Sequence, residues 1–155
     1  MTVNSVIFEE QKKYIERFYE PSFSAYDFVS LFSVLCATQN EYSFSRDNLI
    51  VFINFCKIHS KYDKLLGDIN LKSNGIFYYS EEFDEAIAKL KWGKILYTVS
   101  PEQDSNVYIF ENIPTEEIIK PRVNYLEEVS NFISEYKNFE NNNSNKLTLV
   151  MKRTI

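Results

Sequence analysis

The chain has 155 residues, with 17 Lys and Arg against 22 Asp and Glu, one His and a formal net charge of -5. At 45% hydrophobic and 25% charged it is too apolar to stay unfolded and too evenly charged to cross a bilayer. Three Gly, four Pro and two Cys exclude collagen-like and disulfide-scaffold classes, and 13 Phe, 11 Tyr and one Trp are ample for one core.

Ser5 to Glu20 carries Phe8, Ile15, Phe18 and Tyr19 among charges, which suits an amphipathic helix ended by Pro21. No apolar run of signal-peptide length follows the first residues, and the longest apolar stretch, Leu49 to Cys56, is shorter than the about 18 to 20 residues of a spanning helix. The expectation is a cytoplasmic protein with no membrane role. Cys36 and Cys56 each lie in an apolar run, as expected of buried thiols in a reducing compartment.

Ser24 followed by Asp27 is a capping box, so a helix is predicted from Ala25, with Phe28, Leu31, Phe32 and Leu35 on one face and an end near Thr38 to Asn40. Ser43 or Ser45 can cap the next helix, in which Leu49, Phe52, Ile53 and Cys56 form one stripe. Ile50, Val51 and Phe55 fill the other sides, which predicts a central, buried helix. A short helix over Tyr62 to Leu66 is stopped by Gly67, Asp68 to Asn74 reads as loop, and Asn74-Gly75 is the strongest turn signal.

Ile76 to Tyr79 reads as a strand, after which Ser80 caps a helix beginning Glu81, Glu82, Phe83, Asp84, with Phe83, Ala86, Ile87 and Leu90 facing inward and Gly93 at its end. Ile95 to Val99 and Val107 to Phe110 alternate about the polar turn Pro101 to Ser105, which makes Lys94 to Glu111 a β-hairpin. Thr115 is a candidate cap for a short turn. From about residue 121 to 137, Leu126, Val129, Ile133 and Tyr136 make an amphipathic helix that docks on its own domain or on a twin. An Asn-rich linker is expected over 138–145, and Leu147, Leu149 and Met151 alternate in a terminal strand or tail over 146–155.

Chemistry-bearing patterns are sparse. A single His59 beside Cys56, three isolated glycines and the solvated helix-start acids Glu81, Glu82, Asp84 and Glu85 offer no triad, phosphate loop or metal set. Asp63, Asp68 and Asn70 lack the ligand order of a calcium loop. No catalytic residue, cofactor or metal is therefore assigned.

The order helix, helix, short strand, helix, hairpin over 25–111 resembles a winged-helix domain, in architecture only. The expected fold is α+β: a mostly helical single domain over 1–137, with a winged-helix-like centre and a C-terminal amphipathic helix. In a DNA-reading version the helix from Glu81 would enter the major groove, yet its leading residues are acids, and the hairpin turn carries Glu102 and Asp104 without Lys or Arg. Nucleic acid is thus disfavoured. Tyr78, Tyr79, Tyr97, Tyr108, Tyr125 and Tyr136 exceed what a small core hides, and tyrosine is enriched where proteins meet.

The expected activity is non-enzymatic protein binding by a regulator or adaptor, such as an inhibitor or antitoxin-like protein, or self-association as a homodimer. The predicted contact residues are Leu126, Val129, Ile133, Tyr136, Leu147, Leu149 and Met151. The alternative is a DNA-binding transcriptional regulator using an atypical surface around Lys146, Lys152 and Arg153. Abundant Asn, Lys, Ile, Phe and Tyr suit an AT-rich bacterial or phage genome.

Overall fold

A computed structural model describes residues 23–99 and 105–154, with side chains through residue 142. The helix expected over Ser5 to Glu20 and the turn over 101–104 lie outside the described residues.

Helix α1 spans Ala25–Thr38 and is the axis of the molecule. Its capping box forms as the sequence predicts: Ser24 Oγ accepts from the Asp27 amide at 3.0 Å, and Asp27 Oδ2 accepts from the Ser24 amide at 3.1 Å. Every residue from Phe28 to Cys36 is buried, so the stripe read from the sequence widens to the whole circumference. Two serines tolerate this burial because Ser30 and Ser33 donate their hydroxyls to the carbonyls of Tyr26 and Val29.

The chain then makes strand β1, Ser43–Ser45, and helix α2, Arg46–Ile58, with Ser45 serving both as the last strand residue and as the helix cap. Here the expectation of an all-round buried helix is corrected. Leu49, Ile50, Phe52, Ile53 and Cys56 face inward, while Val51, Phe55 and Ile58 remain exposed on the outer side. Central burial belongs to α1 instead.

Helix α3 is the short turn Asp63–Leu66, with Gly67 as its C-cap. Strands β2, Lys72–Ser73, and β3, Tyr78–Tyr79, pair around the Asn74-Gly75 turn. Asn74 Oδ1 accepts from the amides of Ile76 and Phe77, each at 3.0 Å, and Gly75 takes φ +90, a value that L side chains rarely adopt. The strand expected over Ile76 to Tyr79 is thus shorter and belongs to this small hairpin.

Helix α4, Glu81–Trp92, starts at Ser80, whose hydroxyl accepts from the Phe83 amide at 3.2 Å. It buries Phe83, Ala86, Ile87 and Leu90, packing against α1 in the most extensive helix contact among the described residues. The hairpin β4, Leu96–Tyr97, and β5, Asn106–Ile109, follows. Strand β1 joins it to give an antiparallel sheet in the order β1-β5-β4.

Pro114 rather than Thr115 caps helix α5, Thr115–Ile119, and without a side-chain bond. A 3-10 turn over Lys120–Tyr125 leads into α6, Leu126–Thr154. The backbone is helical through the Asn-rich stretch and through 146–154, so neither a linker nor a terminal strand forms there. Helix and small antiparallel sheet make one compact domain.

Candidate functional site

The predicted C-terminal contact face turns inward. Val129, Ile133 and Tyr136 are buried, and Leu126 is half-buried against the same core. Between them Phe132 seats its ring 5.1 Å from Phe28 of α1, 5.1 Å from Phe52 of α2 and 5.5 Å from Tyr62. Three-four spacing marks an apolar stripe without saying what covers it, and here the cover is the domain itself. Val129, Ile133 and Tyr136 are therefore corrected from partner surface to core, and Leu126 packs partly buried against it. Leu147, Leu149 and Met151 lie on the last turns of α6 instead of on a strand, and the structure describes no contact of theirs.

The reactive groups are quiet. Cys36 and Cys56 are free and buried, and burial pushes both thiols up to about 12, which removes thiolate from neutral solution. His59 caps the exposed end of α2 with its ring 4.5 Å from Phe55. The acids of α4 have local partners: Asp84 pairs with Arg46, Glu81 with Lys72 at 3.3 Å and Glu85 with Lys89 at 3.4 Å, while Glu82 accepts from the Asn70 amide at 3.0 Å. Asp68 accepts from the Ala25 amide at 2.8 Å, where it tethers the start of α1. Among the described residues no group of three His, Cys, Asp or Glu is placed to hold a metal, and no helix is long and apolar enough to cross a membrane.

Exposed aromatic surface occurs at Phe55, at Phe77 and Tyr78 of the β2-β3 hairpin, at Trp92, and on the outer face of the three-stranded sheet. Strand alternation sends Phe44, Leu96, Val107 and Ile109 into the core and leaves Ser43, Tyr97 and Tyr108 in a cross-strand row outside. Tyr97 stacks on Tyr108 at 5.4 Å and meets Phe110 at 4.6 Å. With Tyr42 and Lys94 these rings line an open cleft of about 500 Å³. Such a row stabilises the sheet, but it also leaves apolar ring area in water that an internal packing role would have covered.

Trp92 is 89% exposed at the last turn of α4, two residues before Lys94 of the cleft. It lies roughly 200° round the helix from the buried Leu90, a position that the periodicity of α4 alone identifies as solvent-facing. Tyr97 and Tyr108 are legible as surface aromatics, whereas Trp92, Phe110 and Tyr42 as contact candidates were missed. The available signal for Phe110 was strand alternation, since it shares the outward parity of Tyr108.

Compared with protein families, with curated proteins and with solved structures, the chain shows no match to any of them.

Proposed function

We propose that the chain works by binding another protein and not by catalysis, with the outer sheet face of Tyr97, Tyr108 and Phe110 as its contact surface. The observation that carries this reading is the stacked aromatic row beside an open cleft. Rigid aromatic rings give large contact area at low entropic cost, and tyrosine and tryptophan dominate binding energy at protein interfaces. The regulator, inhibitor and adaptor roles all fit such a surface, and two free buried thiols suit a reducing cytoplasm.

The middle of the chain reads in this proposal as a winged-helix-like unit. Its support is the succession α1, β1, α2, α4, β4, β5 with sheet order β1-β5-β4, and with α3 and the β2-β3 hairpin as an insertion. That topology also favours the second reading, a DNA-binding regulator. In that case α4 would face the groove, but its exposed side carries Glu81 and Glu85 ahead of Lys89, a polarity that repels phosphates.

Affinity capture, identification of the partner and binding of the purified pair test the first reading. Tyr97→Ser with Phe110→Ser lowers affinity about thirtyfold, the scale of losing an aromatic anchor. Equal affinity of the double variant removes the assigned surface. Retention of duplex DNA at low salt that falls steeply with added salt would favour the second reading instead.

A further inference from the structure

The Asn74-Gly75 turn shapes the β2-β3 hairpin, and the sheet-face contact makes no use of it. Asn74 is the only asparagine of the chain that precedes a glycine. Asparagine is a thermolabile residue, because its side-chain amide can be attacked by the main-chain nitrogen that follows it. Both turn residues are exposed to water. Beyond the adjoining residues nothing lies within 4 Å of the place a Gly75 Cβ would take, so no side chain hinders the Gly75 nitrogen.

Local hydrogen bonds hold the reacting groups. The Asn74 amide donates to the Phe77 carbonyl at 3.3 Å, and the Gly75 amide donates to Ser73 Oγ at 3.1 Å. The amides of Ile76 and Phe77 both donate to Asn74 Oδ1 at 3.0 Å. These last donors sit where negative charge gathers when a nucleophile adds to Asn74 Cγ, which is the arrangement of an oxyanion hole. The Ser73 hydroxyl is placed to relay the Gly75 proton to water.

We propose that Asn74 is a site of spontaneous covalent modification in the folded protein. The Gly75 nitrogen gives its proton to solvent base and bonds to Asn74 Cγ. The Cγ–Nδ2 bond breaks, Nδ2 takes a proton from water and leaves as ammonia, and a succinimide is closed. Water then adds to either imide carbonyl, and cleavage of that carbonyl from nitrogen gives aspartate or isoaspartate. In sum, asparagine and water become a carboxylate and ammonium, with no oxidant, metal or enzyme. The product adds one negative charge to the net -5, beside the exposed Ile76, Phe77 and Tyr78. Aspartate can keep both amide bonds to Oδ1. Isoaspartate reroutes the main chain through the side chain, which lengthens the turn and loosens the pairing of Lys72 with Tyr79 and of Ser73 with Tyr78.

Incubation of the whole chain in mildly alkaline native buffer tests the site, followed by ion exchange and mass spectrometry of the tryptic peptide Ser73–Lys89. A more acidic form should accumulate with time, carrying aspartate and isoaspartate at position 74 and matched by released ammonia. Asn70, exposed in the same loop but followed by Leu71, should stay an amide. Asn74→Ser, whose hydroxyl can still accept from the turn amides, should lose the acidic form while keeping the fold by circular dichroism. Conversion in urea but not in native buffer, conversion of Asn70 as fast as Asn74, or an acidic form that persists in Asn74→Ser would overturn the proposal.

Discussion

Arg122, in the 3-10 turn that precedes α6, donates its Nε–H to Oδ1 of Asp27, the third residue of α1, at 2.8 Å. The two side chains are 14% and 29% exposed, so this pair is shielded in a way that the other ion pairs among the described residues are not. Arg122 also donates to the Ile118 carbonyl at 2.9 Å and lies over the Tyr26 ring at 5.7 Å. One guanidinium thus ties the segment before α6 to the start of the central helix, and one carboxylate serves both the capping box and that tie. Asp27→Ala loses cap and ion pair together, and urea unfolding should show a loss of about 2 kcal/mol. A double-mutant cycle with Arg122→Ala should give a coupling of about 1 kcal/mol. Simple additivity would contradict the tie.

The hydroxyl of Tyr136 gives an opposite expectation. A buried phenol without a well-formed hydrogen bond is a cost to the folded state, so Tyr136→Phe should leave stability unchanged or raise it by up to about 1 kcal/mol. Truncating the ring in Tyr136→Ala should cost about 3 to 5 kcal/mol. Denaturant midpoints separate the two, and a clear loss in Tyr136→Phe would mean that the hydroxyl already has a partner.

Core membership of α6 is tested by Phe132→Ala, which removes a ring packed on Phe28, Phe52 and Tyr62 and should cost about 3 to 5 kcal/mol. Ile133→Asp should abolish cooperative unfolding, since it places an unpaired carboxylate where the native side chain is 1% exposed. Were Ile133→Asp to fold normally, α6 would be a surface helix after all.

Alkaline pH should destabilise the protein. Burial raises Cys36 and Cys56 from 9.0 to about 12 and also raises Tyr62 and Tyr136. An acid whose folded pKa is raised holds its proton more tightly in the native state, so its stabilising effect is complete below the unfolded pKa. Above pH 9 the unfolded chain loses protons that the native chain keeps, and stability falls as pH climbs toward 12. The melting temperature should therefore decline above pH 9, and a Cys36→Ala, Cys56→Ala variant should decline less steeply over the thiol window. A flat profile would place both thiols in water.

The features that were legible in the sequence are local ones. The caps at Ser24, Ser45 and Ser80 and the Asn74-Gly75 turn form as read because each is decided within three or four residues. Strand β1 escaped notice because Ser43–Ser45 has no strand pattern of its own and is extended by pairing with β5, more than sixty residues away. The tail was misread because Leu147, Leu149 and Met151 alternate over too short a span to outweigh a stretch that holds neither Gly nor Pro to stop α6. The stripe of Val129, Ile133 and Tyr136 correctly announced an apolar face, but whether a partner or the same chain covers it depends on the position of α1, which no local window contains.

Side-chain footprinting of the purified complex by hydroxyl radicals reports whether the outer sheet face meets a protein partner. Protection on binding should concentrate at Tyr97, Tyr108 and Phe110, with the buried Phe132 unchanged between free and bound states. A complex that leaves those three rings as reactive as in the free protein, with protection confined to another face, would place the contact surface elsewhere.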